Sequence, residues 1–204
     1  MFKSLLALSV LALGVAASPI KRETGPWCDG WWAGYDVASG FTLTAYNLSD
    51  ASDPNAVGYP LVLGQAGAID GAAFHVLSTY ESYPYGNPNQ TWALNKGTLL
   101  PEDQTSTKYQ GAAVNPGDEP SWMSSNEVGP SAQIWCGIPQ TSPHGGGRGN
   151  PSITVNSDID KFSLCKQWDA PDAQVNIVYK ASPNNTGYIY DSCFGVEIEI
   201  VNSF

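Results

Sequence analysis

Short runs of alternating apolar and polar residues recur along the chain, and turns rich in glycine and proline separate them. No long segment keeps the helical period of about 3.6 residues, so helices have little room. Alternation with a period of two is typical of strands that bury one face. The pattern predicts about nine strands, at residues 41–46, 59–63, 73–79, 91–94, 133–138, 152–155, 161–165, 174–180 and 194–201.

This pattern predicts an all-β fold with one domain built as a β-sandwich, and a β-trefoil is the alternative. The last predicted strand illustrates the two faces. Its valine and isoleucines should face the core, while Glu197 and Glu199 point the other way and should face solvent. Residues 102–130 are polar and weakly periodic, so we expect a long surface excursion or an irregular hairpin there.

The amino terminus has the features of a secretory signal peptide over residues 1–17: a lysine, a short apolar run and small residues before the cleavage point. Residues 18–22 follow as a short propeptide that ends in the dibasic pair Lys21 and Arg22. Residues 23–204 then form the single β domain. The apolar run is too short to span a bilayer, so we expect a secreted protein, either extracellular or in the cell wall.

The charge excludes two classes of partner. The formal net charge is −10, and removal of the leader, which holds basic residues and no acid, makes it more negative. Nucleic acid and anionic membrane surfaces would repel such a chain. We therefore expect neither nucleic acid nor membrane as a partner.

The cysteines predict disulfides rather than a metal site. Four cysteines in a secreted chain form two bridges, and these four are not spaced as the C-x-x-C pairs of a zinc site. Four cysteines allow three connectivities. We favour Cys165 with Cys193 and, by elimination, Cys28 with Cys136. No metal and no cofactor are expected.

Acceptor sequons for N-linked sugar lie beside turn-forming residues, which fits a glycosylated surface. They begin at Asn47, Asn89 and Asn184. A fourth asparagine, Asn150, is followed by a proline that blocks the sequon.

A sugar-binding hypothesis starts from two Q-x-W tripeptides, at residues 90–92 and 133–135, which match the signature of ricin-type lectin repeats. No third copy follows. Aromatic rings flanked by glycine, proline and asparagine add to the hypothesis, because exposed rings stack on the apolar faces of sugars. The tryptophans of residues 27–32 are instead expected to pack in the core or on a disulfide. The carbohydrate-binding candidates are Asp70, Tyr83, Tyr85 and Trp92.

Catalytic hypotheses find no complete set of residues. His75 lies in an apolar strand and His144 in a glycine-rich stretch, and neither has a nucleophile or metal motif beside it. Paired carboxylates are required for glycoside hydrolysis, but each pair here has a structural explanation in a strand face or a turn. Those pairs are Glu197 with Glu199, Asp158 with Asp160, and Glu102 with Asp103.

Several longer stretches resemble known fungal proteins. Residues 40–45, 58–74, 78–85 and 92–99 resemble small secreted proteins that are widespread in basidiomycete fungi and mostly lack an assigned activity. The carboxy-terminal blocks, at residues 162–165, 175–187 and 193–196, are similar to the end of the PhiA-type fungal cell wall proteins.

The resemblance implies a compact β-sandwich-like fold, a place in the cell wall or matrix, and no catalytic residues to transfer. It also implies that the Q-x-W match is coincidental, with Asn89 in a turn and Trp92 pointing inward. We therefore expect a secreted, wall-associated, non-enzymatic glycoprotein whose partner is cell-wall polysaccharide. A lectin-like sugar-binding module is the alternative, and a glycan hydrolase is a weaker one. The sequence carries no signal for an oligomeric state.

Overall fold

The structure is a computed structural model that describes residues 24–50, 53–102, 107–140 and 148–202. The predicted signal peptide (1–17), propeptide (18–22), Lys21, Arg22 and His144 lie outside these described residues. Within the described part, no helix is long and apolar enough to cross a membrane.

The described residues form twelve strands and two short 3-10 helices. The helices are η1 (Pro26–Cys28) and η2 (Leu48–Asp50). The strands are β1 (Val37–Asn47), β2 (Tyr59–Ile69), β3 (Ala72–Thr79), β4 (Thr91–Asn95), β5 (Thr98–Glu102), β6 (Lys108–Gly111), β7 (Ser121–Ser125), β8 (Trp135–Ile138), β9 (Ser152–Val155), β10 (Phe162–Lys166), β11 (Val175–Tyr179) and β12 (Ile189–Asn202).

Six strands close into a barrel. The ring runs β1-β2-β3-β11-β10-β12 and returns to β1, and every neighbouring pair is antiparallel. The all-β prediction is therefore confirmed, and each predicted strand overlaps an observed one. The prediction of a nine-strand sandwich is wrong, because β1 pairs with β12 along one edge and with β2 and β4 along the other. Alternation specifies a two-faced strand but not its partners.

Three hairpins pair with strands of this ring. Their arrangement rules out the trefoil alternative. They are β4–β5, β6–β7 and β8–β9, and they follow one another along the chain between β3 and β10. They attach to β1, β3 and β12, of which β1 and β12 are neighbours in the ring. Their attachment therefore has no threefold repeat. The β6–β7 hairpin lies in residues 102–130, where an irregular hairpin was one of two expectations.

A continuous row of buried aromatic rings ties the hairpins to the barrel. Each ring lies 5.0–6.4 Å from the next, centroid to centroid. Aromatic pairs at such separations contribute beyond the area that they bury. In order, the rings belong to Trp92 on β4, Trp122 on β7, Trp135 on β8, Phe162 on β10 and Tyr179 on β11.

The two disulfides have the favoured connectivity. Cys28–Cys136 joins η1 to β8 across 108 residues, and Cys165–Cys193 joins β10 to β12 across 28 residues. A cross-link that closes a longer loop removes more entropy from the unfolded chain. Trp27 and Trp31 pack beside the first disulfide, as expected. Trp32 does not, because 91% of it is exposed.

The acidic face of β12 is not in solvent, so that expectation is wrong. Glu199 is fully buried and forms an ion pair with Arg148 at 2.5 Å, while Asn150 Nδ2 donates to its other oxygen at 3.0 Å. The Arg148 guanidinium also lies 3.8 Å from the centre of the Tyr46 ring. Glu197 accepts hydrogen bonds from Ser152 and Gln140. The segment that leads into β9 covers this part of the barrel, which alternation within β12 could not indicate.

We predict that Arg148→Met lowers the free energy of unfolding by about 3–5 kcal/mol, because it leaves the buried Glu199 carboxylate without its countercharge. Urea unfolding measures this. The double variant R148M/E199Q should lose less than R148M alone, because the uncompensated charge is gone. Lys161→Met is the matched control. Its ion pair with Asp160 is exposed, so it should change stability by no more than about 0.5 kcal/mol. Equal losses for the two cations would contradict this assignment.

Candidate functional site

The best candidate site is built on the loop between β3 and β4, residues 80–90, here called the tyrosine loop. It carries Tyr83 and Tyr85, two of the four predicted sugar-binding residues. Their rings meet edge to face with centroids 5.9 Å apart. Tyr85 is 90% exposed, so its ring projects from the surface as a platform.

Hydrogen bonds hold the tyrosine loop against the barrel. Ser82 Oγ donates to the Thr79 carbonyl at 3.1 Å and accepts from the backbone N–H of Val175, on β11, at 2.9 Å. The backbone N–H of Tyr83 donates to the Thr79 carbonyl at 3.0 Å. Pro84, between the two tyrosines, fixes its own φ. The exposed Tyr85 ring is therefore held on an ordered backbone. This lowers the conformational entropy that the loop would lose when a ligand binds.

One side of Tyr85 borders a cleft of about 380 Å³, here called the small cleft. Tyr83, Asn87, His75, Gln65 and Tyr109 contribute to its walls. His75 Nε2 lies 2.9 Å from Ser124 Oγ, and the imidazole meets the Tyr109 ring edge to face with centroids 5.9 Å apart. Burial lowers the pKa of His75 below its ordinary value, so the ring is neutral at neutral pH. The sequence analysis treated His75 as a half-buried strand residue and gave it no role in a site.

Tyr85 also borders a cleft of about 580 Å³, here called the large cleft. The packed rings of Tyr59 and Phe194, with centroids 5.8 Å apart, contribute an aromatic wall. Glu81, Asp172 and Lys166 contribute the charged groups. Sugar-binding surfaces combine aromatic faces with polar groups that fix orientation, and both clefts have this composition.

Two predicted site residues do not belong to these clefts. Trp92 is fully buried and packs on Trp122, so it cannot stack on a sugar. This corrects its listing as a candidate and agrees with the inward orientation that the resemblance implied. Asp70 is exposed in the turn between β2 and β3 and lines neither cleft.

Both Q-x-W tripeptides have a structural role. Gln90 is buried, and its Nε2 donates to the carbonyls of Thr91 at 2.8 Å and Glu102 at 3.1 Å, which fastens the β4–β5 hairpin. Trp135 of the second copy is buried in the aromatic row. The lectin signature is therefore a coincidence of hairpin and core residues.

The sequons occupy surface positions of two kinds. Asn89 and Asn184 are exposed in loops. Asn47 ends β1 and is partly buried, and its Oδ1 accepts from the backbone N–H of Ser49 at 2.9 Å. Glycosylation at these positions stays a prediction.

The paired carboxylates proposed for hydrolysis are engaged elsewhere or lie outside the described residues. Asp158 forms an ion pair with Lys180 at 2.7 Å and accepts a hydrogen bond from Tyr179. Glu102 accepts from the backbone N–H of Gly40 at 2.8 Å. Asp103 is not among the described residues. Glu81 and Asp172 share the large cleft, and both are exposed to solvent rather than enclosed in an apolar pocket.

A buried polar cluster that the sequence pattern did not predict lies at the junction of β3 and β11. Ser78 Oγ donates to Asn176 Oδ1 at 2.6 Å, and Gln174 Nε2 donates to both, at 2.9 and 3.0 Å. Asn176 Nδ2 in turn donates to Glu119 Oε1 at 2.9 Å. Polar residues inside predicted strands were the available signal, but the strand pattern does not show which of them meet.

Comparison with known proteins adds no relative. No protein-family model, no curated protein and no solved structure matches this chain. Its function has to be argued from the residues and their geometry.

We predict that Glu119→Gln stabilises the protein more at neutral pH than at acidic pH. Burial raises the pKa of the Glu119 carboxyl above its ordinary value, and the hydrogen bond from Asn176 opposes part of that rise. A raised folded-state pKa gives stability that is present below the ordinary pKa and lost as pH rises through the folded-state pKa. Glutamine keeps the acceptor oxygen and carries no charge.

Urea unfolding of both proteins at about pH 4 and about pH 7 measures the difference. Glu127→Gln is the control, because Glu127 is exposed. Its effect on stability should not vary with pH in the same way. A variant E119Q that is less stable than the native protein at neutral pH would show that the charge, rather than its burial, governs the cluster.

Proposed function

We propose that this chain is a secreted, N-glycosylated protein of the fungal cell wall that binds wall polysaccharide through the tyrosine loop and catalyses no reaction. The observation that carries the proposal is the Tyr85 ring, 90% exposed and standing between two clefts on a hydrogen-bonded loop. An exposed aromatic ring leaves apolar surface in contact with water, and a sugar whose apolar face matches the ring removes that surface from water on binding.

Other features support this setting. Two disulfides fit an oxidising, extracellular compartment. The resemblance to secreted basidiomycete proteins and to PhiA-type cell wall proteins favours the wall, and the leader pattern favours export. The acidic charge, −10 overall, disfavours anionic partners and leaves an uncharged matrix as the more compatible surface.

This proposal combines two expectations from the sequence, a wall-associated glycoprotein and a lectin-like sugar-binding module. The tyrosines supply a surface for sugar, and the barrel supplies a rigid support. Hydrolysis is disfavoured because the candidate acids are engaged in other contacts, Glu199 with Arg148 and Asp158 with Lys180.

We predict that the purified protein is retained on insoluble β-glucan or chitin, and that Tyr85→Ala weakens this retention about tenfold, equivalent to roughly 1.4 kcal/mol of lost stacking. Trp32→Ala is the matched control, because Trp32 is equally exposed, at 91%, but lies on the η1 side, away from both clefts. Tyr85→Phe keeps the ring and should retain binding. Depletion binding isotherms give the affinities.

The proposal fails if the native protein is not retained on either polymer, or if Tyr85→Ala and Trp32→Ala weaken retention equally. Release of soluble reducing sugar by the native protein, abolished by Glu81→Gln, would replace binding by hydrolysis.

A further inference from the structure

Tyr85 is a shared wall of the small cleft and the large cleft. We infer that the ligand is the interior of an uncharged polysaccharide chain that crosses the Tyr85 ring and occupies both clefts at once, with His75 contacting it in the small cleft. This inference rests on the proposed function and adds the class of polymer, the way it lies and a residue that contacts it.

The position of Tyr85, which lines both clefts, supports a ligand that crosses its ring. A ring that closed the end of one pocket would receive the terminal sugar of a chain. This ring instead borders two clefts and is 90% exposed, so a chain that lies across it would reach both clefts. A polymer can therefore enter from one cleft and leave by the other.

The sizes of the two clefts favour an oligosaccharide over a single sugar. The clefts measure about 380 and 580 Å³, and each alone falls in the range of roughly 300–1,000 Å³ that holds a small ligand. A single sugar ring would fill only part of one cleft and would touch one face of Tyr85. An oligosaccharide that uses both clefts buries more of the aromatic and polar surface.

The charged groups in and around the clefts favour an uncharged ligand. Phenols, amides and the neutral imidazole of His75 line the small cleft, and the described residues of its wall include no carboxylate or ammonium group. The large cleft holds Glu81 and Asp172 against Lys166. A polyanion would meet two carboxylates there and a chain of net charge −10 around it. A polycation would find no countercharge among the described residues of the small cleft, so an uncharged polymer fits both clefts.

The small cleft carries hydrogen-bonding groups that can bind sugar hydroxyls. Ser124 Oγ lies 2.9 Å from Nε2 of His75, so we assign the contact with the ligand to the other ring nitrogen. The side chains of Gln65 and Asn87 are exposed at the same cleft. Amide and imidazole groups both donate and accept, which matches sugar hydroxyls.

The experiment measures affinity for a series of soluble β-glucan and chitin oligosaccharides, from disaccharide to hexasaccharide, by calorimetry on the full-length secreted protein. We expect the disaccharide to bind at least about tenfold more weakly than the hexasaccharide, with a plateau once both clefts are filled. Binding should be nearly independent of salt, because exposed charge pairs are the interactions that salt screens.

Variants in each cleft test the crossing. His75→Ala in the small cleft and Asp172→Ala in the large cleft should each weaken hexasaccharide binding severalfold. Asp70→Ala is the control for the second variant, since Asp70 is an exposed acid outside both clefts. Thermal unfolding of each variant separates loss of contact from loss of fold. If only one of the two cleft variants weakens binding of a correctly folded protein, the chain does not span both clefts.

The outcomes separate this inference from the proposed function. If the disaccharide and the hexasaccharide bind with equal affinity, and Tyr85→Ala weakens both, the ligand does not span both clefts. The sugar-binding function would still stand. Tighter, salt-sensitive binding of chitosan oligomers would overturn the uncharged class and favour an amino sugar. No oligosaccharide binding, together with no retention on either polymer, would end the proposed function itself.

Discussion

The closure of the six-stranded ring at β3 and β11 is the constraint on which the rest of the structure depends. A single backbone pair, Ser78 with Asn176, joins these strands, and the side chains of the same two residues meet through a buried hydrogen bond. Because a buried polar group without a partner costs free energy, this contact disfavours any other register. Gly64 belongs to the same constraint, since a Cβ there would lie 1.9 Å from Ser78 Oγ.

The candidate site inherits its position from that closure. The tyrosine loop begins directly after β3, and Ser82 ties it to the backbone of Val175 at the start of β11. The large cleft then forms between this loop and the strands across the junction, while the small cleft forms on the β3 side. A change that loosens the ring would therefore move both walls of the site, although neither tyrosine is part of the core.

Charge is distributed differently in the fold and in the site. Arg148 and Glu199 are buried as a pair, where desolvation makes each depend on the other. The small cleft instead exposes aromatic rings, amides and one neutral imidazole, and the charged groups of the large cleft are open to solvent. Stacking and hydrogen bonding are short-ranged and select shape, whereas the acidic surface acts at longer range and repels polyanions. This division is compatible with the uncharged ligand that we propose.

Alternation by itself determined the existence of most strands, because a period of two is a local property of the chain. The nine predicted strands do not include β5, β6 and β7, which contain proline, serine and lysine residues, although an irregular hairpin was one expectation for the region of β6 and β7. Turn-rich surroundings, rather than alternation, identified Tyr83 and Tyr85. Only the tertiary structure decided that the sheet closes, that Glu199 is buried, and that His75 borders the same cleft as Tyr85. These outcomes depend on contacts between residues far apart in the chain, and no local pattern contains them.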